Sequence, residues 1–139
     1  MPSQLDNLVR IGTLKEEPPA QTELDGLMRS GTARLKDAAN ETLSLESRFD
    51  LAYNAAHAFS LAALRFRGYR SESRYLVFQT LQHTVGLPSA QWRVLDDAHK
   101  KRNLAEYEGD VDLDSALVAA VIRVAGEVEA RVRALGPLP

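Results

Sequence analysis

SRFDLAYNAAHAFSLAALRFRG, residues Ser47 to Gly68, decides the fold. Phe49, Ala52, Tyr53, Ala56, Phe59, Ser60 and Ala63 recur every three or four positions, and Ala55, Ala58 and Ala62 widen that stripe. A helix apolar over so much of its circumference needs neighbours on several sides, which puts it at the centre of a bundle. Ser47 with Asp50 three residues on resembles a capping box, and Gly68 is placed to take the left-handed conformation past the helix end.

Helical spacing continues on both sides of this centre. Upstream, Thr22 and Asp25 resemble a second capping box for a helix from about Glu23 to Asn40, weakened by Gly26 and Gly31. Ser3 and Asp6 form a third such pair over a brief N-terminal helix, before Lys15-Glu16-Glu17-Pro18-Pro19 makes a stiff linker. Downstream, Ser73 to Val85 reads as a fourth helix, ended by Gly86 and Pro88. Ser89 caps a fifth from Ala90 to Glu108, which stops at Gly109. Asp112 or Asp114 opens the last, where Val121, Val124, Val128 and Val132 form an apolar stripe that ends at Gly136-Pro137. That stripe suits closure of the bundle or a dimer seam, and both readings stay open.

Strand signals are nearly absent: no stretch alternates apolar and polar residues, and no Asn-Gly or Asp-Gly turn separates β-branched runs. The predicted fold is all-α, an antiparallel bundle of about five to six helices, with residues 1–20 as an arm and linker and 21–139 as one domain.

The totals narrow the function. With no cysteine, disulfides, thiolate nucleophiles and Cys-based metal sites are excluded. A formal charge of -2 leaves no broad cationic surface, so any nucleic-acid site must be local. No apolar run reaches the roughly 18 to 20 residues that span a bilayer, and the polar opening Met1 to Arg10 lacks signal-peptide regions, so a cytoplasmic protein is expected.

His99-Lys100-Lys101-Arg102-Asn103-Leu104-Ala105-Glu106-Tyr107-Glu108-Gly109 carries the functional signal. With Leu95 as zero and about 100° per residue, Val94, Ala98 and Ala105 fall between about 260° and 300° and Arg102 at about 340°. Glu106, His99, Trp92 and Asn103 follow at about 20°, 40°, 60° and 80°, a polar cluster beside the core stripe. A guanidinium there is costly to bury unless anions or acceptors meet it. Glu106, one turn on, supplies a structural ion pair; an incoming phosphate is the functional alternative.

The Arg102-Asn103 pair late in a long helix, with Tyr107 separated from Arg102 by four residues, resembles the signature of HEPN domains. The stretch Arg48 to His57 and Tyr107-Glu108-Gly109 are similar to a group of bacterial members, with the likeness running roughly from Leu45 to Leu135. The resemblance implies a compact, often dimeric helical bundle whose motif is an arginine, a polar residue and then a histidine separated from the arginine by four to six residues. Many members are metal-independent ribonucleases in toxin systems or phage defence, with the motifs of two subunits meeting in one cleft; others are companions of small nucleotidyltransferases. Here Tyr107 stands where the nucleases have histidine. A base must take the proton of a 2′-hydroxyl near neutral pH, which suits an imidazole near about 6.5 and not a phenol near about 10.

The expected site is therefore a cleft of Arg102, Asn103, Glu106 and Tyr107 for RNA, a nucleotide or another phosphate-bearing ligand, with weak or no cleavage. If there is chemistry, it falls to His99, Arg102 and Tyr107, with His99 one turn before Arg102 as the replacement base. The expected partners are a second copy of the chain and, in the rival reading, a nucleotidyltransferase without RNA. Arg65, Arg67, Arg70 and Arg74 with Tyr69 and Tyr75 gather at a helix junction, where Arg67 and Arg70 either hold phosphates or answer a helix C-terminus. His57 reads as a satisfied core histidine, and His83 has no assigned role. No metal site or cofactor is expected, since the three histidines have no matching carboxylate spacing.

Overall fold

The central helix of the computed structural model, which describes residues 3–109 and 112–139, is α3, Leu45–Phe66. Ser44 caps it, accepting from the Ser47 amide at 3.1 Å, so the cap lies three residues ahead of the expected Ser47 and Asp50 pair. Gly68, at φ +91°, follows its end as predicted. Ala52, Ala55, Ala56, Phe59, Ala62, Ala63 and Leu64 are all inaccessible to solvent, because helices cover α3 on several sides. Before it come α1 (Gln4–Arg10), β1 (Lys15–Glu16) and α2 (Gln21–Ala38); after it come β2 (Tyr69–Arg70), α4 (Arg74–Gln79), α5 (Leu81–Thr84), α6 (Ser89–Glu108) and α7 (Ser115–Ala134). The fold is an all-α helical bundle with a minor two-stranded ladder. Met1 and Pro2, the start of the polar opening, lie outside the described residues.

α2 runs antiparallel to α3, with Glu23 beside Arg65, Gly31 against Phe59 and the Ala38 carbonyl accepting from Arg48 Nε at 2.8 Å. The helix-weakening Gly31 has a packing reason: a Cβ there would sit 2.5 Å from the Phe59 ring. α7 also packs on α3, and Val121, Val124, Val128 and Val132 are buried in the main core of the single chain. The valine stripe therefore closes the bundle and leaves nothing over for a dimer seam.

Several local expectations are corrected. The linker holds a two-residue strand that pairs Lys15 with Arg70 and Glu16 with Tyr69; two residues are too few to show alternation in sequence. Thr22 does not cap α2, because Gln21 is already helical and Ala20 is the cap residue without a side-chain bond. Asp25 instead accepts from Gln21 Nε2 at 2.9 Å. The predicted fourth helix is two short ones meeting at Thr80, whose hydroxyl donates back to the Val77 carbonyl at 2.8 Å. Pro88, not Ser89, precedes the first turn of α6. Ser3 with Asp6, Asp114 and Gly109 act as expected, and Ser73, read as the first helical residue, is instead the cap of α4.

The N-terminal arm is docked on the bundle. Leu5 and Leu14 join Leu64 and Val77 in a second small core. Above it lies Arg65, only 1% exposed. Its guanidinium donates to Glu23 at 2.6 Å and to the carbonyls of Glu17, Pro18 and Tyr69 at 3.0, 3.0 and 3.1 Å. Removing one partner of a buried ionic network costs about 3 kcal/mol. Arg65→Leu should lower unfolding free energy by about that amount in urea titrations and strip hydrogen-exchange protection from α1 and β1. A loss below about 1 kcal/mol would mean that the network does not tie the arm down.

Candidate functional site

Tyr53, on the first half of α3, is the centre of a polar cluster that draws on three helices. α4 supplies Arg74 from its first turn, where the Ser73 cap fixes the backbone, with the Leu76 amide donating to the Ser73 hydroxyl at 3.3 Å. α6 supplies His99, Arg102 and Asn103 from one face. The guanidinium carbons of Arg74 and Arg102 lie 5.4 and 5.1 Å from the Tyr53 ring centroid. Arg74 Nη1 also donates to Asn54 Oδ1 at 3.0 Å.

His99 stacks on the same tyrosine, centroids 6.2 Å apart with planes 18° from parallel. Its Nδ1 is 2.8 Å from Tyr53 Oη and its Nε2 3.3 Å from Asn103 Nδ2. If Asn103 donates to Nε2, the proton of a neutral ring sits on Nδ1 and is donated to Tyr53 Oη, a tautomer assigned from the network. Both ring nitrogens are then engaged. Phe78 meets Tyr53 and His99 edge-on, and His57 meets Phe78 edge-on at 6.1 Å.

The charges in this cluster do not balance. Among the described residues the Arg102 guanidinium has one ion-pair partner, Glu106 at 3.4 Å, with side-chain exposures of 28% and 57%. Arg74 has none. The histidines register the excess. Burial first, then the cations of Arg74 and Arg102, bring His57 down to about 4. His99 is also lowered, chiefly by burial, with Asp96 opposing and Arg102 and Arg74 adding. Burial raises the Tyr53 hydroxyl against the pull of the two arginines. Near neutral pH the arginines therefore carry the cluster's positive charge.

The expected site residues separate. Arg102, Asn103 and His99 come together, and Glu106 flanks them. Tyr107 is 88% exposed and turned away from Arg102 by the helical rotation between them. Arg67 donates to the Thr84 carbonyl at 3.0 and 2.8 Å, and Arg70 pairs with Glu17 and Glu23. Both serve the fold beside Arg65 and neither reaches the cluster. Arg74, Tyr53 and Asn54 were grouped in sequence with other features; only the α3, α4 and α6 packing brings them to Arg102. Beyond Arg102 a pocket of about 400 Å³ is lined by Glu46, Asp50 and Glu106 with Phe49 and Leu113. These three carboxylates disfavour an anion on that side of Arg102.

No family model, curated protein or solved structure matches the chain. Among the described residues no group of three or more His, Asp or Glu is placed to hold a metal ion, and no helix is long and apolar enough to cross a membrane.

The depressed His57 value has a stability consequence. The folded imidazole takes its proton only near pH 4 and the unfolded one near 6.5. As pH falls through 6.5 the unfolded state binds the proton first, so stability present above 6.5 is lost progressively toward pH 4. The loss assignable to His57 is on the order of 2–3 kcal/mol. His57→Leu should flatten the wild-type decline in melting temperature over that window. Equal slopes in the two proteins would show that His57 is not held neutral.

Proposed function

We propose that this chain is a HEPN-like, cytoplasmic, homodimeric protein that binds RNA, a nucleotide or another phosphate-bearing ligand at Arg102 with weak or no nuclease activity, in a toxin–antitoxin or defence setting. The observation that carries the reading is the convergence of Arg74 and Arg102 on Tyr53, with Arg102 paired to the exposed Glu106 and Arg74 paired, among the described residues, to no carboxylate. Two guanidiniums with unfilled donors are a fork for phosphate oxygens, and the adjoining aromatics offer stacking faces. In this reading Arg74 takes the place of Tyr107, which points away, as the ligand-facing partner of Arg102 and Asn103. The noncatalytic part rests on His99, whose two nitrogens already face Tyr53 and Asn103 and which is therefore poorly placed to take a 2′-hydroxyl proton.

Fluorescence anisotropy with a labelled single-stranded oligouridylate tests this reading. Arg74→Ala and Arg102→Ala should each weaken binding about tenfold to a hundredfold, the equivalent of about 1.5–3 kcal/mol for a charged hydrogen bond. Each should also flatten the dependence of log affinity on log salt by about 0.7. Variants that bind as tightly as wild type would end the proposal. Metal-independent cleavage that vanishes in His99→Ala would instead make the protein an active ribonuclease.

A second reading, a docking module for a nucleotidyltransferase without RNA, is favoured by one feature. Leu104 and Tyr107, 43% and 88% exposed, stand one turn apart on the outer face of α6. In the leading reading this face meets a second copy. Sedimentation should then show a wild-type dimer and a Leu104→Asp/Tyr107→Asp monomer; a monomeric wild type that co-purifies with a nucleotidyltransferase would favour the module.

A further inference from the structure

A second cavity, larger than the pocket beside Arg102, lies away from the Tyr53 cluster. α2 and α7 both pack on α3, and a groove of about 670 Å³ is lined by residues of all three helices. Leu24, Met28, Ala62, Phe66 and Val132 give it an apolar lining. Two polar ties cross between α2 and the end of the chain. Gln21 Oε1 accepts from the Leu138 amide at 2.9 Å, and Thr32 joins Glu129 at 2.6 Å and Arg133 at 2.9 Å. Gln21 and Thr32 are eleven residues apart on α2, so the ties are about 16 Å apart along the helix.

The rim is cationic. Arg29, Lys36 and Arg133 line the groove against a single carboxylate, Asp25. Arg133 is paired with Glu129, whereas among the described residues Arg29 and Lys36 have no carboxylate within ion-pair distance. An apolar trough forfeits dispersion contacts along its open side, and unpaired guanidinium and ammonium groups beside it attract an anion. Its volume is that of a small-molecule site.

We infer that this groove binds an amphipathic anion, a straight apolar chain lying over the partly exposed Met28 and Phe66 with its carboxylate or similar head between Arg29 and Lys36. The apolar body restores the missing contacts and the head answers the charge excess of the rim. The site is separate from Tyr53 and does not depend on the function proposed for that cluster.

Calorimetric titration of the full chain with decanoate and with 1-decanol at pH 7.5 tests the inference. Decanoate should bind saturably, one per chain, and at least tenfold tighter than 1-decanol. Arg29→Glu/Lys36→Glu should remove that preference, weakening decanoate tenfold or more with 1-decanol unchanged. Ala33→Trp, which fills the groove from an exposed position, should abolish binding of both. No saturable decanoate binding at millimolar concentration, equal affinity for acid and alcohol in the wild type, or undiminished binding in Ala33→Trp would each overturn the assignment. All three positions are exposed, and far-UV circular dichroism confirms folding; if the tryptophan disturbs packing, the charge-reversed pair decides.

Discussion

A single buried guanidinium sets the geometry of the N-terminal half of the molecule. Arg65 ends α3 where the helix dipole favours a cation, and it draws acceptors from α2, the proline linker and β2. Burying such a charge is tolerable only because the rigid planar fork finds a partner in each direction; a lysine has three donors and no plane. The consequences run outward. Fixing the Tyr69 carbonyl fixes β2, and β2 leads directly into α4, whose Val77 closes the second core on Leu5, Leu14 and Leu64. The position of Arg74, and so the shape of the polar cluster, descends from this contact.

Arg65 also shows by contrast what is unusual about Arg74 and Arg102. Three arginines lie on or near one helix, and one of them is matched by two carboxylates and three carbonyls. The other two share the faces of one tyrosine and a single ion pair. Cation–π contacts contribute about 0.5–2 kcal/mol each, modest against the repulsion of like charges over a partly buried ring. Local rules of this kind are broken where a site is kept for something other than stability. The cluster fits that description, and the Arg65 network does not.

Much of the fold was legible because it is local. Gly68 and Gly109 adopt φ +91° and +79°, where a left-handed cap was expected, and Ser3 with Asp6 forms its capping box. The periodicity of the alanines in α3 and valines in α7 placed both helices in the core. Thr22 failed as a cap because the chain enters α2 two residues earlier, which side-chain type alone does not specify. The ladder of Lys15 with Arg70 was invisible because a two-residue strand has no period. The site was half legible. Arg102, Asn103 and His99 share a helix face and could be found by rotation. Arg74 sits 28 positions from Arg102, and only the tertiary path through β2 and α4 brings it there.

α3 thus carries two different surfaces on its two halves. Tyr53 anchors the charged cluster, while Ala62 and Phe66 floor the apolar groove. Nine residues of helix separate Tyr53 from Ala62, about 14 Å along the axis, which exceeds the screening length of about 10 Å at 0.1 M salt. Any coupling has to pass through the packed helix itself, where the Phe59 ring sits against Gly31 so closely that even a methyl group would not fit. A central helix held that tightly transmits strain and little charge, so the two surfaces are chemically independent and mechanically joined.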